Sequence, residues 1–343
     1  MSRARPSLVL PALGLLLIAA MVIATGFGAE NIPVRDVVDV LGHRITGTPY
    51  DLGLDTIVWQ LRVPRTILAA IVGAGLAVAG AAMQTLVRNP LADPYLLGVS
   101  SGASTGAAAV ITSGLFAGAG LWALSAGALA GALVAAAAVF VIATAQGGLT
   151  PLRLVLTGTV LASAFAALSS YLIFRSSDPA AAQSVLFWLL GSLSGADWTR
   201  ILLPASVVVV ALAFLMLGAN WLDALTMGAD TAASVGIPVR QVRIGLFVLL
   251  AVLVGVLVAV SGCIGFVGLV VPHAARLLVG PRHRILLPAS ALCGAVFLVA
   301  ADAATRVLVR PTEIPVGVLT GLIGAPAFLL LMGRRRYGFG ATA

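Results

Sequence analysis

The sequence predicts an all-α polytopic membrane protein of about ten transmembrane helices, organised as one domain over residues 1–343. Three observations lead there. Hydrophobic residues make up 60% of the chain and charged residues 9%, more apolar surface than a soluble domain of this length needs to fill its core. The apolar residues fall into runs near the ~20 residues with which a helix crosses a bilayer. Threaded alternately from a cytoplasmic N-terminus, these runs place twelve arginines and three acids inside against eight arginines and nine acids outside, or +9 against −1 within a total of +8. That asymmetry satisfies the positive-inside rule and puts both termini, with Arg334, Arg335 and Arg336, in the cytoplasm.

The first run, 7–26, follows Arg3 and Arg5 and reads as a retained helix in place of a cleaved signal peptide. Residues 27–61 form the longest polar connection, with five acids and a short amphipathic helix at 34–41, and belong outside. Further spans are expected at 63–86, 95–115, 121–145 and 152–174. The apolar segment 180–193 lies too close to Arg175 and Asp178 for a full span and reads as a short re-entrant or surface helix. Spans at 201–217, 244–263, 264–278, 286–308 and 316–332 complete the set. Glycines four apart (Gly98, Gly102 and Gly106; Gly127 and Gly131; Gly317 and Gly321) allow close helix approach, within the chain or between copies.

Between two of these runs lies a polar interruption, residues 220–243, that reads as two short helices on the cytoplasmic surface. Asp230 is placed to cap the first, Gly236 suits the left-handed position that ends it, and Pro238 suits the first turn of the second. This is either an ordinary loop or the place where energy enters. Upstream, Asn89, Pro90, Asp93 and Pro94 in NPLADP make a fixed corner, since each proline denies its predecessor the helical region and supplies no amide proton. Asn89 and Asp93 can satisfy the freed backbone groups or touch a partner.

Composition also excludes. All twenty basic residues are arginine, and without lysine the chain cannot hold the GxxxxGK[ST] phosphate loop, so ATP must be handled by another chain. The arginines scatter at the ends of apolar runs and form no basic stripe, which points to membrane lipid and excludes nucleic acid as a partner. Cys263 and Cys293 lie in apolar runs without metal-ligand spacing and read as packing residues. His273 and Arg276, with no carboxylate in their run, read as structural polar packing. Asp302 sits inside a span four residues before Arg306, a spacing that makes a local ion pair. An ion-coupled secondary transporter, the main alternative, would need more intramembrane carboxylates than this. A passive channel has no positive signature here.

Three blocks carry a resemblance: RVPRTILAAIVGAGLAVAGAAMQTLVRNPLADPYLLGVSSGAS at 62–104, GCIGFVGLVVPHAARLLVGPRHRILLP at 262–288, and EIPVGVLTGLIGAPAFLLL at 313–331. In this order they resemble the membrane permease of bacterial ABC importers for iron-siderophore complexes, haem and cobalamin. The resemblance implies a cytoplasmic-membrane permease paired with a second copy or a paralogue, a substrate-binding protein outside, and two ATPase subunits that use ATP and Mg; this chain itself holds no cofactor. It assigns Arg62, Arg65 and Arg306 to docking of the binding protein, with membrane anchoring or ion pairs to Asp51 or Asp55 as the plain reading. It assigns the hairpin, with Asp230, Thr231, Ser234, Gly236, Ile237 and Pro238, to coupling with the ATPase. The turn with Thr150, Pro151 and Leu152 resembles the cytoplasmic gate, although Pro151 and Leu152 replace small polar residues of the cobalamin permease.

Overall fold

A computed structural model describes residues 6–47, 51–310 and 312–333; the flanking Arg3, Arg5 and Arg334 to Arg336 lie outside them. The helices in chain order are α1 (Pro6–Gly26), α2 (Val34–Thr46), α3 (Leu52–Asp55), α4 (Val63–Leu86), α5 (Val99–Ser113), α6 (Ala123–Ala145), α7 (Pro151–Arg175) and α8 (Ala181–Leu189). After them come α9 (Leu202–Leu217), α10 (Ala219–Met227), α11 (Ala229–Ser234), α12 (Val239–Ser261), α13 (Val267–Val279), α14 (His283–Thr305) and α15 (Val316–Gly333). Each of the ten expected spans contains a helix. Seven are long and apolar enough to cross a membrane, whereas α5, α13 and α15 are shorter.

The core lies around α4, α12 and α14, which are mostly buried, while α1, α7 and α9 present most of their length outward. Glycine sets how closely the helices meet. On α5 and α6, Gly102 faces Gly131 and Gly106 faces Gly127 so tightly that a methyl group on any of the four would fall within 2.4 Å of the opposing helix. These two glycine pairs therefore serve packing within the chain. Thr105 extends the contact to α7, its hydroxyl 2.8 Å from both the Phe165 carbonyl oxygen and Ser169 Oγ.

Several boundaries differ from the sequence reading. The amphipathic helix α2 runs to Thr46, and α3 continues through a π-helical stretch, Thr56–Arg62, into α4, so that about two thirds of the expected 27–61 connection is helical. Pro64 has no amide proton to give, and the Val63 amide reaches five residues back to the Val58 carbonyl, which accommodates the proline without ending the helix. Helix α14 starts at His283 instead of 286, and α12 at Val239 instead of 244, so the expected second short helix is the first turn of that long span. Helix α8 is nine residues long, and its end is stitched by backbone bonds to the neighbouring spans: Ser192 N to Ser261 O, Val316 N to Gly191 O and Gly317 N to Leu190 O, at 2.8 to 3.1 Å.

Candidate functional site

Alternation of the spans brings polar residues together at two opposite ends of the bundle. One end carries the hairpin of α10 and α11. Gly228, at φ 130° and ψ 157°, takes the position before α11, in a backbone region open essentially to glycine. Asp230 is thereby displaced into the first turn and makes no capping bond, which corrects the sequence assignment. Its charge still lies beside the unpaired N–H groups of that turn. Gly236, at φ 81°, ends α11 as expected: the Gly236 amide donates to Ala233 O and the Ile237 amide to Ala232 O, closing a Schellman motif. Pro238 occupies the position just before α12.

The hairpin has two faces. Leu222, Leu225 and Ala232 are buried, and Ile237 packs against the core. Asp230, Thr231, Ser234, Gly236 and Pro238 are exposed, together with the apolar Trp221, Met227 and Val235, the last two by 71% and 67%. Two further turns share this end. In the corner, the Leu91 amide donates to Asn89 Oδ1 (2.9 Å) and the Tyr95 amide to Asp93 Oδ1 (2.8 Å). Pro94 opens a short 3₁₀ turn, and Pro90 follows Asn89 directly. Burial pushes the Asp93 carboxyl up to about 6 against the opposing effect of the Tyr95 bond. In the 146–152 turn, Gly147 and Gly148 have positive φ, Thr150 precedes α7, Pro151 is its first residue, and Leu152 is 68% exposed.

The opposite end gathers the three arginines singled out by the sequence. Arg65 on α4 donates through Nε to Asp302 Oδ1 (2.9 Å) and places Nη2 at 2.9 Å from the same oxygen, while Nη1 donates to Glu313 Oε2 (2.8 Å). Arg306 pairs with Asp302 Oδ2 at 2.9 Å, the local i,i+4 pair expected, and donates to Phe27 O. Arg62 donates to the carbonyls of Thr25, Gly26 and Glu30 at 2.7 to 3.1 Å. The expected partners Asp51 and Asp55 are used elsewhere. Asp51 caps α3, and Asp55 pairs with Arg44. The Arg65 side chain retains 12% exposure, Arg306 3% and Glu313 45%. Beside this cluster lies a cavity of about 340 Å³ bordered by Arg65, Glu313, Ser192, Ser194 and Phe187. Glu313 was not singled out by the sequence reading, and only its position opening the EIPVG block set it apart.

Residues 16–334 match the FecCD transport family. The chain belongs to that family. This FecCD permease is 39% identical over 344 residues to the hemin transport system permease protein HmuU of Yersinia pestis, covering 97% of this chain and 98% of that one. It is 43% identical over 279 residues to the cobalamin import system permease protein BtuC of Halobacterium salinarum, covering 81% and 74%. Among solved structures it is similar to a metal-chelate type ABC transporter in an inward-facing conformation, with a TM-score of 0.84 and 32% identity over 95% of this chain and 99% of that one. The FecCD permease is thus the membrane subunit of an ABC transporter, and ATP is used by a partner ATPase. The ion-coupled alternative falls with this identification, and Asp302, its one candidate carboxylate, is held by two arginines.

Proposed function

We propose that this permease carries a metal chelate, an iron-siderophore complex or the related haem or cobalamin, across the cytoplasmic membrane of a bacterium. Two permease chains, identical or paralogous, enclose the pathway, with both termini and the hairpin on the cytoplasmic side. The ATPase seats on the exposed face of α10 and α11, through Asp230, Thr231, Ser234, Gly236 and Pro238, with Ile237 fixing the hairpin from beneath. The observation that carries this reading is the hairpin's division into a buried apolar side and an exposed side bearing Trp221, Met227 and Val235. Such anchors amid polar residues are the composition of a protein interface. Thr150, Pro151 and Leu152 form the cytoplasmic gate, and Asn89, Pro90, Asp93 and Pro94 hold the corner beside it.

At the outer end, Arg65 receives the binding protein, because its Nη1 reaches the exposed Glu313 while its other nitrogens are fixed on Asp302. Arg306 and Arg62 hold the shape and positive charge of the mouth. Reconstitution with its ATPase and binding protein tests the assignment. ATP-dependent uptake of cobalamin, hemin or a ferric hydroxamate is expected, and mass spectrometry of the ligand on the isolated binding protein selects among them. Arg65 and Asp302 are 12% and 1% exposed, so Arg65→Glu breaks a buried pair and sets two carboxylates together at a cost of ~3–5 kcal/mol, and rescue from the binding protein is what separates lost docking from a disturbed mouth. Reversing Arg62 and Arg65 together alters four charges in a dimer and should abolish docking, with partial rescue by an acid-to-arginine change on the binding protein. A correctly inserted double variant that docks and transports as wild type would remove the docking assignment.

A further inference from the structure

The hairpin end holds a hydrogen-bond chain, buried at His283 and Thr85 and 34% exposed at Asp223, that joins three helices distant in sequence. Asp223 on α10 places Oδ1 at 2.6 Å from His283 Nδ1 and at 3.0 Å from the His283 amide. The other ring nitrogen, Nε2, lies 2.7 Å from Thr85 Oγ1 in the last turn of α4. His283 and Thr85 are 2% and 3% exposed. Because Nδ1–H must donate to the carboxylate, Nε2 is turned onto the Thr85 hydroxyl, and one imidazole spans the gap between α10 and α4. His283 is also the first residue of α14, whose own preceding residue, Arg282, makes no capping bond. Asp223 therefore does from another helix what a capping side chain ordinarily does from within.

The two spans held by this chain cannot slide past each other. Gly73 on α4 and Gly294 on α14 meet so closely that a Cβ on either would lie 2.2 Å from the other's carbonyl oxygen. At their far ends Arg65 of α4 is paired to Asp302 of α14. The α4 and α14 pair is thus joined at the hairpin end, in the middle and at the outer mouth, and the hairpin is bonded to its near end through Asp223.

We propose that Asp223, His283 and Thr85 are positioning residues for transport: they transmit hairpin movement to the α4 and α14 pair, and through that pair to the Arg65 cluster. This rests on the reading of the hairpin as the ATPase seat. Hydrogen bonds to a charged group in a buried setting are short and directional, which suits them to transmit displacement. The route adds a side-chain bridge to α14 beyond the covalent continuations into α9 and α12.

Hydrogen exchange by mass spectrometry on the complete reconstituted complex tests it, comparing the nucleotide-free state with ATP and vanadate. In wild type, exchange should change in the hairpin and in the first turns of α14 together. In Asp223→Ala the hairpin should still respond, while the response of residues 283–290 shrinks by roughly two- to thirtyfold, the range of coupling changes that single substitutions produce. Asp223→Asn keeps the accepting oxygen and should restore most of the response, and Thr85→Val should lose part of it. The proposal is overturned if Asp223→Ala leaves the α14 response intact, if Asp223→Asn is no better than alanine, or if Asp223→Ala merely loses the ATPase. Failure of the underlying reading looks different: ATPase binding would leave wild-type hairpin peptides unprotected.

Discussion

Gly106→Ala adds one methyl group at the tightest point of the α5 and α6 contact. Its Cβ would lie 2.0 Å from Gly127 O, 2.7 Å from Gly127 C and 3.2 Å from Gly131 N. All three are backbone atoms, so no side chain can rotate away. Reaching an ordinary 3.4 Å contact with the oxygen requires the helices to part by about 1.4 Å along that line. Such a movement opens the facing Gly102 and Gly131 contact and pulls Thr105 from Phe165 O and Ser169 on α7. Overpacking of this kind costs ~1–3 kcal/mol, while alanine regains up to ~1 kcal/mol of helix propensity over glycine, leaving a net loss of up to ~2–3 kcal/mol. Gly321→Ala supplies the control, since its new methyl meets only Phe266 Cε2, at 4.0 Å. In detergent, thermal unfolding followed by size-exclusion chromatography should place the midpoint of Gly106→Ala below wild type and that of Gly321→Ala at or above it. Equal midpoints for the two variants would refute the packing argument.

Two further outcomes follow from local geometry. In Gly236→Ala the new Cβ meets no neighbouring atom within 4 Å, so its penalty is the left-handed φ of 81°, ~1–2 kcal/mol, and ATPase co-purification should weaken while the midpoint of the bundle changes little. For Asp93, the folded-state pKa of about 6 exceeds the ordinary carboxyl value of 3.8 because burial disfavours the charge. The folded protein therefore binds the extra proton between those values, and stability is lost as pH rises through that window. Asp93→Asn removes the dependence, so its advantage in melting midpoint over wild type should grow from pH 4 to 6 and then level off; a constant difference would contradict the burial argument.

What the sequence discloses and what it conceals divide along sequence separation. The spans were legible because the bilayer imposes a length and a composition that can be counted along the chain. So were Gly236, whose Schellman bonds lie within six residues, and the Asp302 and Arg306 pair, four residues apart on one helix face. The π-helical stretch before Val63 was hidden: a proline near the start of an apolar run signals a helix start, and the helix in fact runs through it. Asp230 failed for a related reason, since a good capping residue lost its position to a glycine whose backbone conformation was not visible in the letters. Arg65 finds Asp302 across 237 residues and His283 finds Asp223 across 60, distances at which residue type names the need for a partner without saying which one satisfies it.

The Arg65 cluster shows why that missing partner matters for function. An arginine at a helix end reads, from sequence alone, as a free fork offered to another protein. Here the fork is shared: Asp302 holds Nε and Nη2 of Arg65, and Glu313 holds Nη1 from the loop that leads into α15. On the proposed docking, a carboxylate arriving from a binding protein would meet Glu313 at the same nitrogen, and because Glu313 is 45% exposed and Asp302 1%, the exchange would fall on the exposed acid. On the docking proposed above, binding at Arg65 and release of Glu313 would be one competition for a single donor. The force available for that exchange is set by the difference between two similar ion pairs, smaller than either pair would suggest.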